Sequence, residues 1–364
     1  MFKPLLTLLI FCISFISTAQ TLTVKSTLSS RLNETSGIVK ENNNSLWTHN
    51  DSGDLPIIFN IDSNGTIVDS IFLDSVTHTD FEDITFDDNF NLYVGDFGNN
   101  NYNRTNLVIY KILNSDLAKD TVVPQKITFT YSDQTQFPDP NENTDCESLI
   151  YKNNKLYLFS KNHGSSGFCK LYELPNTPGN YTAQLIDSVT TPGMVTGADI
   201  LPNGKLVLLE MGKIHLFDNY TGNDFFGGTH IQFSINFSQK EGVCFKNNDV
   251  LYITQEDNNF FPDPKLFELT INYLASIVTI EHNIKTSVFP NPVKEVLNLS
   301  FKNIPNDVNK IKVKIFDNSG REFFNNKYEV SDSIKIPLLP LKKGNYLIQI
   351  KIKNIKIIKP FIKS

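Results

Sequence analysis

The sequence predicts an all-β protein in which a β-propeller is followed by a small Ig-like β-sandwich. Short runs of alternating apolar residues, punctuated by Asn, Asp, Gly and Pro, fill residues 20–272 without any long helical pattern. These runs recur as similar units, each roughly 40 to 65 residues long. The charge also changes along the chain: residues 20–283 contain 33 acidic and 16 basic residues, whereas residues 284–364 contain 6 and 16. We therefore expect two separate domains.

Residues 1–19 are predicted to be a signal peptide. Lys3 precedes an apolar run from Leu5 to Ile16, and small residues lead to a cleavage site after Ala19. The run is shorter than the roughly 20 apolar residues of a spanning helix. An uncleaved anchor is therefore the less favoured alternative, and we expect no transmembrane segment in the mature chain.

Residues 20–275 are predicted to form the propeller. Five units open with the related segments ETSGIV, DFEDITF, DCESLIY, TGADILP and KEGVCF. The fifth unit lacks a fourth strand, and Leu22–Leu28 reads as a strand that completes it and closes the ring. We predict five four-stranded blades, with six blades or a β-sandwich as alternatives. Cys146, Cys169 and Cys244 are expected to be buried thiols, with a Cys146–Cys169 disulfide as the alternative.

An acidic residue near the start of each unit predicts a cation site. The first strand of every propeller blade lines the central channel, so these carboxylates are expected to meet at one mouth. Crowded carboxylates need a cation, shared protons or solvent, and Ca²⁺ prefers oxygen ligands. The alternative is that each carboxylate accepts backbone N–H groups from a neighbouring blade. The predicted metal ligands are Glu34, Glu82, Glu147, Asp199 and Glu241.

Polar residues at the second-strand ends and in the loops that follow should reach the same mouth, because the second strand runs antiparallel to the first. The predicted ligand-binding residues are Asn50, Asp51, Asp96, Arg104, Lys161, Glu210 and Glu256. His49, Glu82 and Asp96 are the candidates for catalytic groups. The alternative is that these polar residues are ordinary solvent-exposed loop residues without a binding role.

Two classes of function remain open from these residues. The acidic body disfavours nucleic acid as a partner. The sequence contains no GxSxG, HExxH or P-loop motif, and no GxGxxG motif after a strand. The body is therefore either a binding module with a cation-bearing mouth or a Ca²⁺-dependent hydrolase, and its ligand or substrate stays open.

The segments ETSG, WTHNDSG, DFEDI and YVGDFGNN resemble secreted bacterial propellers of the phytase-like or esterase-like kind. The acidic residue in each blade is also similar to the calcium-dependent nucleotidase fold and to the lactonase and paraoxonase group. These resemblances imply a channel that holds Ca²⁺, and an activity on phosphoesters or lactones if the protein is an enzyme.

Residues 286–364, after a predicted linker at 276–285, resemble the type A C-terminal sorting domain of type IX secretion. The matching segments are SVFPNPVKEVLNLSF, KIKVKIFDNSGREF and GNYLIQIKI, with Asp317, Gly320, Gly344 and Tyr346 at characteristic positions. The resemblance implies that the secretion machinery recognises this domain and carries the protein across the outer membrane, and that cleavage and release or surface attachment follow. An ordinary Ig-like binding module is the alternative.

Overall fold

The computed structural model describes most of both predicted domains. The described residues are 22–139, 143–162, 168–189, 194–271, 285–302, 304, 308–317, 322–331, 333–338, 341–352 and 355–364. The signal peptide, Gly320 and all but the last residue of the predicted linker lie outside them, so the domain boundaries stay predictions. Among the described residues, no helix is long and apolar enough to cross a membrane.

The strands of the body group into sets of four. The strand β1 spans Leu22–Thr27. The first set, β2 to β5, spans Thr35–Asn42, Ser45–Asn50, Ile57–Ile61 and Ile67–Leu73. The second set, β6, β7, β8 and β10, spans Phe81–Phe86, Leu92–Asp96, Leu107–Ile112 and Gln125–Tyr131, and the short β9 spans Thr121–Val122.

The remaining sets follow the same order along the chain. The third set, β11 to β14, spans Cys146–Lys152, Lys155–Ser160, Cys169–Pro175 and Gly179–Val189. The fourth set, β15 to β18, spans Val195–Ile200, Leu206–Glu210, Lys213–Asp218 and Thr229–Ser234. The last strands, β19 to β21, span Lys240–Asn247, Val250–Gln255 and Lys265–Thr270.

The first strands of the five sets contact one another in a cycle, which makes the body a β-propeller. The strand β2 contacts β6, and the contacts continue through β11, β15 and β19 back to β2. The strand β1 pairs antiparallel with β21, with Leu22 opposite Leu269. The predicted closing strand is therefore confirmed. The described strands form five sets of four, and the choice between five and six blades for the whole ring stays a prediction.

The outer strands of the second and third sets also pair with each other. The strands β10 and β14 run parallel, from Ile127 opposite Gly179 to Tyr131 opposite Ala183. Their pairing joins two blades into one eight-stranded sheet. It also hides two strand edges that would otherwise offer unpaired N–H and C=O groups.

The core of the body lies between neighbouring blades. Large side chains of the second and third sets, including Tyr93, Phe129 and Tyr172, form one buried cluster. The closing segment contributes Leu28 and Leu32 to another cluster. Each fully buried side chain of this size stabilises the fold by about 1.5–3 kcal/mol. Cys146, Cys169 and Cys244 are buried in the body as free thiols.

The C-terminal region forms two sheets over one core. Its strands β22 to β28 span Lys285–Phe289, Val296–Lys302, Lys310–Asp317, Glu322–Glu329, Ser333–Pro337, Gly344–Ile352 and Ile355–Lys363. One sheet has the order β22-β23-β26 and the other β25-β24-β27-β28. Leu299 of the first sheet and Val313 and Ile348 of the second belong to the same buried cluster. Apolar residues alternate with polar residues along these strands, and the apolar ones of both sheets share one core, which gives the predicted sandwich.

Candidate functional site at the channel mouth

A bulge at the same place in every innermost strand builds the channel mouth. The first residue of each inner strand lies opposite the last residue of the second strand, and the register shifts directly afterwards. The pairs are Thr35–Asn50, Phe81–Asp96, Cys146–Ser160, Val195–Glu210 and Lys240–Gln255. Bulges re-aim side chains in this way. The prediction that the second strands end at the mouth is confirmed.

The residue after each pair occupies the bulge, and it is acidic in three strands. These three residues are Glu82, Glu147 and Glu241, and all are buried. The other two strands have hydroxyl groups there instead. Ser36 Oγ donates to the Glu82 carbonyl oxygen at 2.7 Å, and Thr196 Oγ1 donates to the Lys240 carbonyl oxygen at 2.7 Å. The bulge positions therefore combine three carboxyl groups with two hydroxyl groups.

Two of the five predicted ring carboxylates lie outside the bulge positions, although the pKa of Glu256 at the mouth is raised by burial, then by Asp51 and then by the charge of Glu34. Glu34 precedes the inner strand β2 and is exposed. Asp199 lies opposite Val207, near the start of the second strand, and therefore towards the other end of the channel. The prediction that Asp199 joins the other acidic residues at the mouth is wrong, because the segment TGADI has its acidic residue well after the bulge residue Thr196.

Glycines let the inner strands approach closely below the mouth. A Cβ atom on Gly37 would lie 2.7 Å from Asp83 Cα, and one on Gly242 would lie 2.3 Å from the Ser36 carbonyl oxygen. Neither position has room for a side chain. Close approach of the strands narrows the channel and brings their acidic side chains together.

The mouth brings six carboxyl groups into mutual electrostatic contact, and we call them the mouth cluster. Its members are Asp51, Asp80, Glu82, Glu147, Glu241 and Glu256. Ligand oxygens of Asp51, Asp80 and Glu82 lie within 4.8 Å of one another. Sequence reasoning missed Asp80, although its position two residues before Glu82 in DFEDI was a usable signal.

The pKa values of the mouth cluster are raised. Burial, followed by the charge of Asp80, raises the pKa of Asp51 to about 7. Burial raises the pKa of Glu147 to about 8, although Lys161 opposes the shift. Burial and the neighbouring carboxylates raise the pKa values of Glu82 and Glu241 well above the ordinary range. The cluster therefore favours bound protons or a bound cation over a full set of bare charges.

Lys161 supplies a positive charge to this cluster. Its ammonium Nζ lies 2.7 Å from Glu147 Oε1, and its side chain is only 16% exposed. Burial alone would lower the pKa of Lys161, but the carboxylates of Glu147, Glu82 and Glu241 raise it above its ordinary value. The predicted ligand-binding lysine is thus already paired with a predicted metal ligand.

The mouth retains oxygen atoms that no protein donor satisfies. Asp51 Oδ1 and Asn50 Oδ1 are both buried without a hydrogen-bond partner among the residues that the structure describes. Asn50 Nδ2 donates to the Arg31 carbonyl oxygen at 2.9 Å and to Asp54 Oδ2 at 2.6 Å, which holds the amide in place. Carboxylate and amide oxygens suit Ca²⁺ or Mg²⁺ and do not favour softer metals.

Asp96 and Arg104 support this site and do not face it freely. Asp96 accepts the Asp80 backbone N–H at 3.1 Å and the Arg104 guanidinium at 2.8 Å. Arg104 also donates to the Gly98 carbonyl oxygen at 2.7 Å. A Cβ atom on Gly98 would lie 1.9 Å from Glu82 Oε1. The loop therefore positions Asp80 and Glu82, while the predicted catalytic and ligand-binding roles of Asp96 and Arg104 stay predictions.

His49 and Glu210 are buried in other contacts. His49 Nδ1 lies 2.9 Å from the Asn50 carbonyl oxygen, and its ring packs edge-on against Phe81. Burial lowers the pKa of His49 to about 4, so the ring is neutral at physiological pH and lacks the solvent access of a proton carrier. Glu210 Oε1 lies 2.8 Å from His215 Nε2. Glu256 is also buried, and its carboxyl group belongs to the mouth cluster.

Two other carboxylates, the buried Asp83 and the half-buried Asp199, tie neighbouring inner strands together. Asp83 Oδ1 accepts the Ile84 N–H at 2.9 Å, while Oδ2 accepts the N–H groups of Leu149 at 2.8 Å and Ala198 at 3.4 Å. Asp199 Oδ2 accepts the Phe245 N–H at 2.7 Å. The blade-to-blade role left open by the sequence is therefore filled by Asp83 and Asp199.

The comparison with known families concerns the C-terminal region. Residues 287–364 match the family described as the secretion system C-terminal sorting domain. This match confirms the predicted sorting domain. The chain is a propeller protein that type IX secretion exports to the cell surface or the extracellular space.

The body has remote structural neighbours. A gluconolactonase of Xanthomonas campestris is 12% identical and has a TM-score of 0.38 over 65% of this chain and 72% of its own. A second protein, provisionally named a gluconolactonase, is 10% identical and has a TM-score of 0.41 over 67% of this chain and 78% of its own. Similarity at this level carries no conclusion about activity. No curated protein matches the chain.

Proposed function

We propose that the propeller mouth binds a divalent cation, with Ca²⁺ preferred, and that the cation and its surroundings recognise a ligand of this exported protein. One observation carries the proposal. Oxygen atoms of Asp51, Asp80 and Glu82 converge within 4.8 Å, and one of these residues keeps a buried oxygen without a hydrogen-bond donor among the described residues. The residues that would hold the ion are these three, with Asn50 beside them.

The charge balance of the mouth supports a cation. Lys161 contributes one ammonium group, and Glu147 engages it directly at 2.7 Å. The pKa of Glu82 stays raised, chiefly by burial and then by the carboxylates around it, even with Lys161 nearby. A divalent cation compensates two charges at once, which a shared proton cannot do.

A ligand would complete the coordination of the ion. Three carboxylates supply fewer than the six to eight oxygen ligands that Ca²⁺ takes. An incoming molecule with carboxylate, phosphate or hydroxyl oxygens could fill the remaining positions. The guanidinium of Arg104 is occupied by Asp96 and Gly98, so the positive centre for an anionic ligand would be the cation itself.

A Ca²⁺-dependent hydrolase that acts on phosphoesters or lactones is the second candidate. The pKa of Glu147 is raised to about 8 by burial, with Lys161 opposing, and that of Glu256 is raised to about 7 by burial and by Asp51. A carboxyl group that titrates near neutral pH can donate or accept a proton during catalysis. Glu147→Gln would then abolish hydrolysis of a nucleotide or lactone while Ca²⁺ still binds.

Calcium titration of the purified mature chain tests the cation site. Calorimetry and thermal melting would compare the wild type with Asp80→Asn and with Asp69→Asn, an exposed carboxylate on the outer strand β5. We expect Ca²⁺ to raise the melting temperature of the wild type and Asp69→Asn but not of Asp80→Asn. Absence of both heat and stabilisation in the wild type would overturn the proposal.

A further inference from the structure

A cavity opens on the joined sheet of the second and third blades, and we call it the blade cavity. Its volume of about 460 Å³ falls within the range of about 300–1,000 Å³ that is typical of small-molecule sites. Val108 on β8, Thr128 on β10 and Asn180 on β14 lie side by side in it, because the three strands pair in this register. All residues that line the blade cavity belong to the propeller. Cleavage of the sorting domain therefore leaves this cavity on the protein.

The hydroxyl of Tyr110 is available to a ligand in the blade cavity. Tyr110 is only 4% exposed, and its ring packs against Phe81 at a centroid distance of 6.0 Å. The side chain lines the cavity, but its hydroxyl forms no hydrogen bond with any other described residue. Burial, followed by the charge of Asp96, raises the pKa of Tyr110 to about 12. The hydroxyl therefore keeps its proton and can donate a hydrogen bond to a bound molecule.

Two asparagines present amide N–H groups to the same cavity. Arg104 Nε donates to Asn106 Oδ1 at 3.1 Å, and Thr128 Oγ1 donates to Asn180 Oδ1. These bonds engage the oxygen end of each amide and leave the nitrogen end with two N–H donors. Neither amide nitrogen donates to another residue within the described ranges. The two asparagines thus add fixed donors beside the Tyr110 hydroxyl.

Threonine hydroxyls complete the polar lining. A hydroxyl can donate one hydrogen bond and accept two, so these groups adapt to either kind of partner. Four threonines of the lining are exposed and make no side-chain hydrogen bond to the described part of the chain: Thr77, Thr79, Thr105 and Thr130. The half-buried Tyr181 adds an aromatic surface to this polar lining.

The charges of the blade cavity are balanced. Asp96 and Lys126 are the charged residues among those that line it. Asp96 is paired with the Arg104 guanidinium at 2.8 Å, and Lys126 Nζ donates to the Ser75 carbonyl oxygen at 3.2 Å. Neither charge is left to select an ionic ligand. The lining therefore favours a neutral molecule with many hydroxyl groups.

The strand pairing argues against a peptide as the ligand. The strand β10 pairs with β8 on one side and with β14 on the other, and β14 also pairs with β13. Both edges of β10 and β14 are therefore occupied over the paired residues. An added peptide strand would need an open edge there.

We propose that the blade cavity binds a neutral saccharide. Sugar hydroxyls both donate and accept hydrogen bonds, which matches the amide, threonine and Tyr110 groups of the lining, and the apolar face of a sugar ring can lie against Tyr181. Thr79 of the lining precedes Asp80 of the mouth cluster, but none of the six carboxylates of that cluster lines the blade cavity. Saccharide binding therefore does not depend on the proposed cation.

The test applies the mature chain to an array of neutral and acidic glycans, followed by calorimetry with the neutral glycan that binds best. Tyr110→Phe removes one hydroxyl and keeps the packed ring, so its affinity should fall by about threefold to tenfold. Thr130→Trp fills the cavity from an exposed strand position and should abolish binding. The matched variant Thr270→Trp places the same side chain at the exposed end of β21, in another blade. It should bind like the wild type.

Two further readouts separate this site from a structural effect and from the channel mouth. The melting temperatures of Tyr110→Phe and Thr130→Trp should match that of the wild type, and wild-type binding should be the same in EDTA and in Ca²⁺. Binding of no neutral glycan by the wild type would overturn the proposal, and so would unchanged binding by both cavity variants. Binding that is confined to acidic glycans, or lost in EDTA, would overturn it in favour of an anion site or of the mouth.

Discussion

Glu82 and Asp83 are adjacent residues of β6 and both are buried, yet they belong to two different layers of the channel. At the mouth, Glu82 faces other carboxylates and its pKa is raised by burial and by Glu147. One layer deeper, Asp83 accepts N–H groups from its own strand and from two neighbouring inner strands. Both residues are therefore buried carboxyl groups. They differ in the number of backbone N–H groups that donate to them.

The carboxylates of the deeper layer accept backbone N–H groups from neighbouring blades and so hold the blades together. The mouth layer contains a carboxylate oxygen that lacks a hydrogen-bond donor within the described part of the chain. Asp199 behaves like Asp83, because it accepts the N–H of Phe245 on the next inner strand. In contrast, Asp51 keeps an oxygen without a donor among the described residues. We expect substitutions in the two layers to change stability in opposite directions.

The largest effect is expected for Asp83→Ala. The substitution leaves buried N–H groups of Ile84 and Leu149 without acceptors, and each such group costs about 1–3 kcal/mol. The free energy of unfolding should therefore fall by about 3 kcal/mol or more in urea denaturation. Asp83→Asn keeps an acceptor oxygen and should lose less. A loss within about 0.5 kcal/mol for the alanine variant would contradict the fastening role.

Asp199→Ala should have the next largest effect. It removes the acceptor of the part-buried N–H groups of Phe245 and Ile200, and a buried donor without an acceptor costs about 1–3 kcal/mol. Because Asp199 lies away from the mouth, the Ca²⁺ affinity measured by calorimetry should equal that of the wild type. A loss of Ca²⁺ binding in a variant that is still folded would place Asp199 among the ligands after all.

Glu82→Gln should act in the opposite direction when no divalent cation is present. The neutral amide removes a buried charge that its neighbours repel, so the free energy of unfolding in EDTA should rise by about 1 kcal/mol. Addition of Ca²⁺ should then stabilise the wild type but not this variant. A decrease in stability in EDTA would show that Glu82 fastens the fold in the same way as Asp83.

The smallest effect is expected from pH. Burial raises the folded-state pKa of Asp51 to about 7 and that of Glu147 to about 8. Between the ordinary carboxyl pKa and these values the folded state binds more protons than the unfolded state, so stability falls as pH rises. In EDTA the melting temperature should drop by a few degrees from about pH 5 to about pH 8.

Calcium should oppose this drop, because the cation binds the deprotonated carboxylates and its affinity increases as they lose their protons. The Ca²⁺-induced rise in melting temperature should therefore be larger at about pH 8 than at about pH 5. An equal rise in melting temperature at both pH values would mean that the carboxyl groups with raised pKa values are not Ca²⁺ ligands.

Much of the architecture was predictable because it depends on local patterns. Alternating apolar residues in Leu22–Leu28 predicted the closing strand, and β1 pairs with β21. The openings of three units predicted that Glu82, Glu147 and Glu241 are equivalent. The C-terminal motifs predicted a sorting domain, and residues 287–364 match that family. Period, turn residues and motif spacing are all properties of neighbouring residues in the chain.

The wrong prediction for Asp199 shows that local patterns do not determine which residue of an inner strand occupies the bulge. Aligning the third position of the inner strands, which is Gly37, Gly197 and Gly242 in three of them, would have placed Thr196 at the bulge in place of Asp199. The small residue is required because the backbone of the neighbouring inner strand lies against it. That requirement arises between blades and is not visible within one unit.

The linear order of residues thus specified the strands, the closure of the ring, the sorting domain and an acidic mouth. The assembled ring specified which carboxylates fasten it and which keep oxygen atoms without donors among the described residues. The reason is that hydrogen-bond donors for Asp83 come from residues 66 and 115 positions away along the chain, on two neighbouring inner strands. Contacts between residues so far apart along the chain are set by the packing of the blades. The residue pattern of a single strand does not predict them.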